Sequence, residues 1–370
     1  MGIYLDNAAT TSVFPQVSYL MDKYATRLFY NPSSVYTGGR KNRELIEKSR
    51  KTIAELINAE PEEIYFTSGG TESDNWACNE GKRRRGHIIT DTIEHKAIIN
   101  SLRDYPNVSY VKPDEKGVIH AGEIEKKIKK DTVMISVMMG NNEIGTIEPV
   151  DEIGNVAKNY GLIFHTDAVQ AFGHMPIDVK KSAIDMMSAS AHKFHGPKGC
   201  GFLYVRKGID IMPYIAGGGQ EKGKRSGTEN VAGIIGMAKA AEICYANLEA
   251  WDKHLKSVNR YMTERLLKEI DGCILNGHET VRLSNNISIC IKGINSRALI
   301  ALLDIDGIYV SGGSACNTSH KKSYVLEEIG VRKEYIGGGI RISMDEGISL
   351  SQAEYTINRI KKHVSDLRSQ

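Results

Sequence analysis

The residues best placed for covalent chemistry lie in Ser188-Ala189-Ser190-Ala191-His192-Lys193-Phe194-His195-Gly196-Pro197-Lys198-Gly199. The apolar run before them, Ala183-Ile184-Asp185-Met186-Met187, reads as a buried strand. A lysine just beyond a strand end, beside Ser and His and ahead of Gly-Pro, is a candidate nucleophile, because its amine can form a Schiff base with a carbonyl cofactor. On its own such a lysine is a solvated side chain. It gains meaning only if the chain also supplies an acid for a cofactor ring and a cradle for an anionic group.

The cradle has a candidate. Ile64-Tyr65-Phe66-Thr67 reads as a strand and runs into Ser68-Gly69-Gly70-Thr71-Glu72-Ser73, with a helix from Asp74 to Lys82. Strand, glycine turn and helix start aim free backbone N–H groups at an anion, and the Ser and Thr hydroxyls add donors. A plain β–α connection fits the same pattern, so this segment points to phosphate only in company. Further polar residues fall at strand ends: His95 in Glu94-His95-Lys96, Asn142 in Gly140-Asn141-Asn142-Glu143, and Asp167 and Gln170 in His165-Thr166-Asp167-Ala168-Val169-Gln170. Lysine, acid and anion cradle together are what pyridoxal phosphate requires. Gly218 to Lys224 matches the glycine and lysine spacing of a nucleotide-binding loop, but Arg225 stands where that motif needs Ser or Thr to hold magnesium, which argues against an NTPase.

The elements that must position these residues alternate. Apolar residues between Lys41 and Asn58 recur at helical spacing, and Asp151 to Tyr160 is a second helix. Short strands at His87 to Thr90, within Asp131 to Met139, in the run Leu162 to Gln170 and at Gly201 to Val205 lie between helices. This pattern predicts an α/β domain with a largely parallel sheet and helices on both faces. Ligands in such sheets sit beyond the carboxyl ends of the strands. Residues from about 230 to 270 read as long helical segments bridging to a smaller α+β domain, with a strand at Asn286 to Ile291, a helix at Ser296 to Leu303 and a strand at Gly307 to Val310. After the small-residue loop Ser311-Gly312-Gly313-Ser314-Ala315-Cys316 come a helix at Ser323 to Ile329 and the segment carrying Arg341. Ser351 with Glu354 reads as the capping box of the last helix. The expected division is a large domain over 15–250, with 1–14 and 251–370 forming the small one.

Bulk properties narrow the class. A chain of 370 residues with 41% hydrophobic and 25% charged content is that of a soluble globular protein. The net charge of +3 gives no reason to expect nucleic acid or an acidic membrane, and Lys82-Arg83-Arg84-Arg85, the one basic cluster, reads as a solvated loop. None of the six cysteines has C-x-x-C spacing, so neither a metal site nor a disulfide framework is expected. The first residues lack a basic region followed by an apolar core, and apolar runs are short, which together predict a cytoplasmic protein.

The chain resembles the cysteine desulfurases of the NifS/IscS type, within the class V aminotransferase group of fold-type-I pyridoxal-phosphate enzymes. The matching segments are Tyr4 to Thr11, Asn31 to Ser34, Phe66 to Asn75, Glu94 to Lys96, Asn141 to Gly145, His165 to Gln170, Ser190 to Gly199, Gly217 to Glu221, Arg225 to Thr228, Ser311 to Cys316 and Ile340 to Ser343, in family order across nearly the whole chain. The resemblance implies pyridoxal 5'-phosphate held covalently by Lys193, with Asp167 on the ring nitrogen, His95 stacked on the ring and available for proton transfer, and Gln170 on the ring hydroxyl. It implies that Gly70, Thr71, Ser190 and His192 cradle the phosphate and that Thr228 reaches the phosphate of a second subunit, hence a homodimer. Asn142 and Arg341 resemble binders of the substrate carboxylate. Cys316 resembles the thiol that takes sulfur from L-cysteine as a persulfide, leaving alanine, for delivery to an iron–sulfur scaffold or a tRNA-thiolation protein. Gly312 stands where the pattern often has Ser, Tyr36 and Thr37 where a His is usual, and Lys322 where Pro is common. A selenocysteine lyase, an aminotransferase and a non-catalytic protein of the same fold stay open as alternatives.

Overall fold

The computed structural model describes residues 2–312 and 323–369. Cys316 therefore lies outside the described residues. Twelve strands are found among the described residues: β1 (Ile3–Tyr4), β2 (Ile64–Thr67), β3 (His87–Asp91), β4 (Val108–Val111), β5 (Thr132–Ser136), β6 (Ile163–Asp167), β7 (Met186–Ser190), β8 (Gly201–Val205), β9 (Cys273–Leu275), β10 (Asn286–Ile291), β11 (Ile308–Tyr309) and β12 (Gly339–Ser343). Seven of them form one sheet in the order β2-β8-β7-β6-β5-β3-β4. The pairs from β7 through β4 are parallel, and β8 alone runs against its neighbours. This is the mostly parallel sheet, flanked by helices, that the alternation of elements predicts.

Consecutive apolar residues on each central strand go to opposite faces, as a pleated strand requires. Ile89, Ile135, Phe164, Met187 and Phe202 join one core with the helices Thr37–Leu56 and Val150–Tyr160. Ile88, Met134, Ile163, Met186 and Leu203 join another with the helix Gly70–Arg83. A third core gathers around the antiparallel sheet β12-β10-β9 and the short parallel pair β1·β11. The 39-residue helix Val231–Glu269 connects the cores: Ile234, Met237, Ala240 and Ala241 pack in the first, Leu255, Val258, Met262 and Leu266 in the third. It is long and apolar enough to cross a membrane, but these packed residues account for its hydropathy as a core helix.

Two local expectations need correction. The strand ahead of Lys193 is Met186–Ser190 and not Ala183 to Met187, because Ala183 takes a left-handed turn at φ 50°. The Asp185 carboxylate also accepts the Phe164 N–H at 2.8 Å, outside the ladder. The last helix, Leu350–Arg368, is capped by Ser349 with Gln352, one turn fragment ahead of the expected Ser351 and Glu354.

A buried ion pair fixes the loop after β8. Arg50 and Glu221 are 4% and 5% exposed and meet through two bonds of 2.7 and 2.8 Å. Glu221 also accepts the Phe66 N–H at 2.9 Å, at the edge strand of the main sheet. Removing one partner of such a pair leaves a buried charge uncompensated, so Glu221→Ala is expected to lower stability by about 3–5 kcal/mol in urea unfolding, whereas a loss below about 1 kcal/mol would show the pair to be inert.

Candidate active site

A cavity of about 570 Å³ opens at the carboxyl ends of the parallel strands and is walled by both sheet systems. Lys193 enters it from the short turn Ala191–Lys193 that continues β7. Its Nζ donates to the carbonyls of Ala8 and Ala9 at 2.7 and 2.8 Å. The same N-terminal segment grips the lysine loop twice more: Thr11 N–H donates to the His192 carbonyl at 2.8 Å, and His195 N–H to Thr11 Oγ1 at 2.7 Å. From the other side His174 Nε2 meets the Lys193 carbonyl at 2.8 Å. The amine thus sits on a braced backbone at a strand end.

Asp167 closes β6, next to Ser188 of β7 in register. It is 6% exposed, and Oδ1 accepts the Val169 N–H at 2.8 Å. Burial raises its acid above the ordinary carboxylate value, while His95, the Val169 N–H and Lys193 pull the other way. His95 caps the helix Lys96–Leu102, and its Nδ1 accepts the Ala97 N–H at 3.2 Å. The neutral ring therefore keeps its proton on Nε2. Gln170 is buried and donates to the Ala8 carbonyl at 3.0 Å.

The turn after β2 is shaped for close approach. Gly69 takes φ 149°, which side chains rarely adopt, and a Cβ on Gly70 would meet Val169 Cγ2 at 2.6 Å. The helix starting at Gly70 has no side-chain cap, so its first N–H groups are left for an anion, with Thr71 and Ser190 on the same wall. His192 pairs with Thr10 Oγ1 at 3.1 Å, and burial, then Lys193 and Lys198, push its pKa down to about 4. It is neutral at pH 7 and able to bond a phosphate without adding charge. Glu72 lies at this anion site. Burial opposes its charge, yet bonds from Arg225 at 2.8 Å and from the Ser68 N–H at 2.8 Å hold its acid below the usual value. Lysine amine, buried acid, histidine and glycine-hydroxyl cradle share one cavity, and they fit pyridoxal 5'-phosphate.

Arg341 of β12 and Asn142 form another part of the wall. Arg341 is 1% exposed; it pairs with Asp6 at 2.7 Å and donates to the Asn142 carbonyl at 2.9 Å, while its Nε has no partner among the described residues. Asp6 is a partner that sequence reasoning missed, since the two residues are 335 positions apart. Tyr324 and Asp74 were missed as cavity residues too. Thr228 is exposed and does not line the cavity of its own chain. Ser311 exchanges backbone bonds with Arg341 at 2.7 and 3.2 Å, and Ser323 Oγ donates to Glu143 at 2.5 Å, so the chain on either side of the segment containing Cys316 is anchored at the cavity.

Residues 3–352 match the model of the class-V aminotransferases. The cysteine desulfurase IscS of Methanosarcina thermophila is 45% identical, the alignment covering 100% of this chain and 93% of that protein. A solved NifS-like protein is 37% identical and superposes with a TM-score of 0.93, over 99% of this chain and 100% of that one. A structure described as SspA in complex with cysteine is 34% identical with a TM-score of 0.81, over 93% and 99% of the two chains. The chain belongs to the class-V aminotransferase family, whose enzymes depend on pyridoxal phosphate. Within that family it stands among the cysteine desulfurases.

Proposed function

We propose that the enzyme converts L-cysteine to L-alanine, with the sulfur held as a persulfide on Cys316 and passed to an acceptor. The carrying observation is that one cavity joins Lys193, Asp167 and the Gly69–Thr71 cradle to the anchored ends of the segment containing Cys316. When bound, pyridoxal 5'-phosphate supplies an electron sink that labilises bonds at the substrate's α and β carbons. Gly70, Thr71, Ser190 and His192 would hold its phosphate, Gln170 its ring hydroxyl and Asp167 its ring nitrogen, with His95 over the ring.

The chain's own groups divide the remaining work. Arg341 and Asn142 orient the substrate carboxylate. The Lys193 amine takes the α proton and returns protons as alanine forms. The Cys316 thiolate attacks the substrate sulfur: the carbon–sulfur bond breaks, a sulfur–sulfur bond forms, and a proton completes the methyl group of alanine. A cysteine persulfide and alanine appearing in equal amounts in a single turnover test this reading. Alanine with free sulfide and no protein persulfide would favour a lyase acting on selenocysteine, and amine transfer to a keto acid would favour an aminotransferase.

Arg341→Lys keeps a charge but loses the planar, paired donors that match a carboxylate. We expect KM for cysteine to rise about 10- to 100-fold with a smaller change in kcat, as for loss of a charged hydrogen bond. An unchanged KM would make Arg341 a structural partner of Asp6 alone.

The reading extends to a homodimer in which Thr228 reaches the partner subunit's cofactor phosphate, which its exposure outside its own cavity supports. It also extends to an iron–sulfur scaffold or tRNA-thiolation protein as acceptor. A cytoplasmic setting suits the free thiols of Cys78, Cys200, Cys244, Cys273 and Cys290.

A further inference from the structure

Asp74 lies on the helix that begins at the phosphate cradle, is 1% exposed and lines the cavity. Neither of its carboxyl oxygens has a hydrogen-bond donor among the described residues. Oxygen atoms of Asp74 and Asp167 and a ring nitrogen of His95 all lie within 4.8 Å of one another. The groups facing Asp74 do not compensate a charge. His165 of β6 is 3.8 Å away, but burial drops its pKa to about 3 and its two nitrogens are engaged by Ser136 and Ser188. Glu94, on the loop after β3, is a buried acid pushed well above the carboxylate range by burial and then by Asp91 and Asp167. Cys78, one turn along the same helix, is a buried thiol. The ammonium at the site, on Lys193, acts on Asp167.

Two carboxylates cannot both be ionised in so dry a space. Asp167 is the one with a backbone N–H donor and the Lys193 amine on its side, so the negative charge belongs there. An ionised Asp74 would be a buried charge with no donor, whereas the acid form has an O–H to give and Asp167 close by as acceptor. We propose that Asp74 is a positioning residue, a buried neutral carboxylic acid that donates its proton in a hydrogen bond to Asp167 and so orients and tempers the carboxylate that faces the cofactor ring. Burial, and then the charge of Asp167, favour the protonated form; the Ser188 hydroxyl, bonded to His165 at 3.1 Å, acts against it. The inference rests on the reading of Asp167 as the ring-nitrogen partner.

The test uses the holoenzyme and the pH titration of its visible absorbance, a readout of the lysine-bound cofactor that a merely structural role would not move. Asp74→Asn keeps a neutral donor toward Asp167, so its titration midpoint should stay within about 0.3 pH units of wild type. Asp74→Leu keeps neutrality but removes the donor, leaving a more basic Asp167, so its midpoint should rise by about 0.5–1 pH unit. A fall in both variants would show that a negative charge had been removed and would overturn the proposal, as would no change in either. If the leucine variant does not fold, the infrared difference spectrum between wild type and Asp74→Asn decides: a protonated-carboxyl stretch lost in the variant supports the proposal, and a lost carboxylate stretch overturns it. Asp167→Asn serves as the control for the underlying reading. An unaltered visible spectrum there would show that Asp167 does not face the ring, whatever Asp74 does.

Discussion

Lys193→Ala turns over cysteine at least about 10³-fold more slowly than wild type, within the range that loss of a positioned proton-transfer group produces and compounded by loss of the covalent anchor. The cofactor still binds through its phosphate and ring contacts, but the visible band of the lysine-bound form is absent. The geometry makes this expectation specific to one residue. Lys96 and Lys198 also line the cavity, yet Lys193 is the one on a turn continuing β7 and braced by Ala8, Ala9, Thr11 and His174. A variant retaining more than a tenth of wild-type turnover would mean that another amine does the work.

Cys316→Ala stops alanine formation from cysteine, leaves no persulfide on the protein, and keeps the visible band. The other thiols cannot stand in. Burial pushes the Cys290 thiol up to about 11 and those of Cys200 and Cys273 up to about 12, and raises Cys78 and Cys244 further still. At neutral pH none of them supplies a thiolate, which is the form that attacks sulfur. Alanine release in a single turnover, with quantification of persulfide by alkylation and mass spectrometry, measures the effect. Full alanine production by the variant would exclude the persulfide route and leave a lyase that releases sulfur directly. An aminotransferase would show amine transfer unaffected by the substitution.

Much of the site is visible in the sequence because its parts lie at strand ends, and strand ends are marked by an apolar run meeting Gly, Ser, Asp or His. Gly69-Gly70-Thr71, Asp167 and Lys193 are all legible in that way. What fails is of two kinds. The strand before Lys193 was misplaced because its last residues, Ser188 and Ser190, are polar yet buried; they face His165 and the cavity, so hydrophobic patterning stops too early. The last helix offers Ser349-x-x-Gln352 as well as Ser351-x-x-Glu354, and spacing cannot choose between them; in the fold Ser349 takes the cap and Ser351 hydrogen-bonds to it at 2.9 Å.

The other failures are long-range. Asp6 shows no partner in the sequence, and only β12 brings Arg341 against it. Nothing in the sequence marks Asp74 as buried, since aspartate is seldom fully buried. Only packing of its helix across β6 and β7 places it beside Asp167. The sequence holds these residues, but their partners are a property of the assembled sheet.

The account depends most on the covalent bond between the cofactor and the amine at the end of β7. Borohydride reduction of the holoenzyme, followed by proteolysis and mass spectrometry, fixes that bond and reports its position. The reduced cofactor's mass is expected on the peptide at Lys193. Its recovery on Lys96, on Lys198 or on no lysine of fully loaded enzyme would contradict the account.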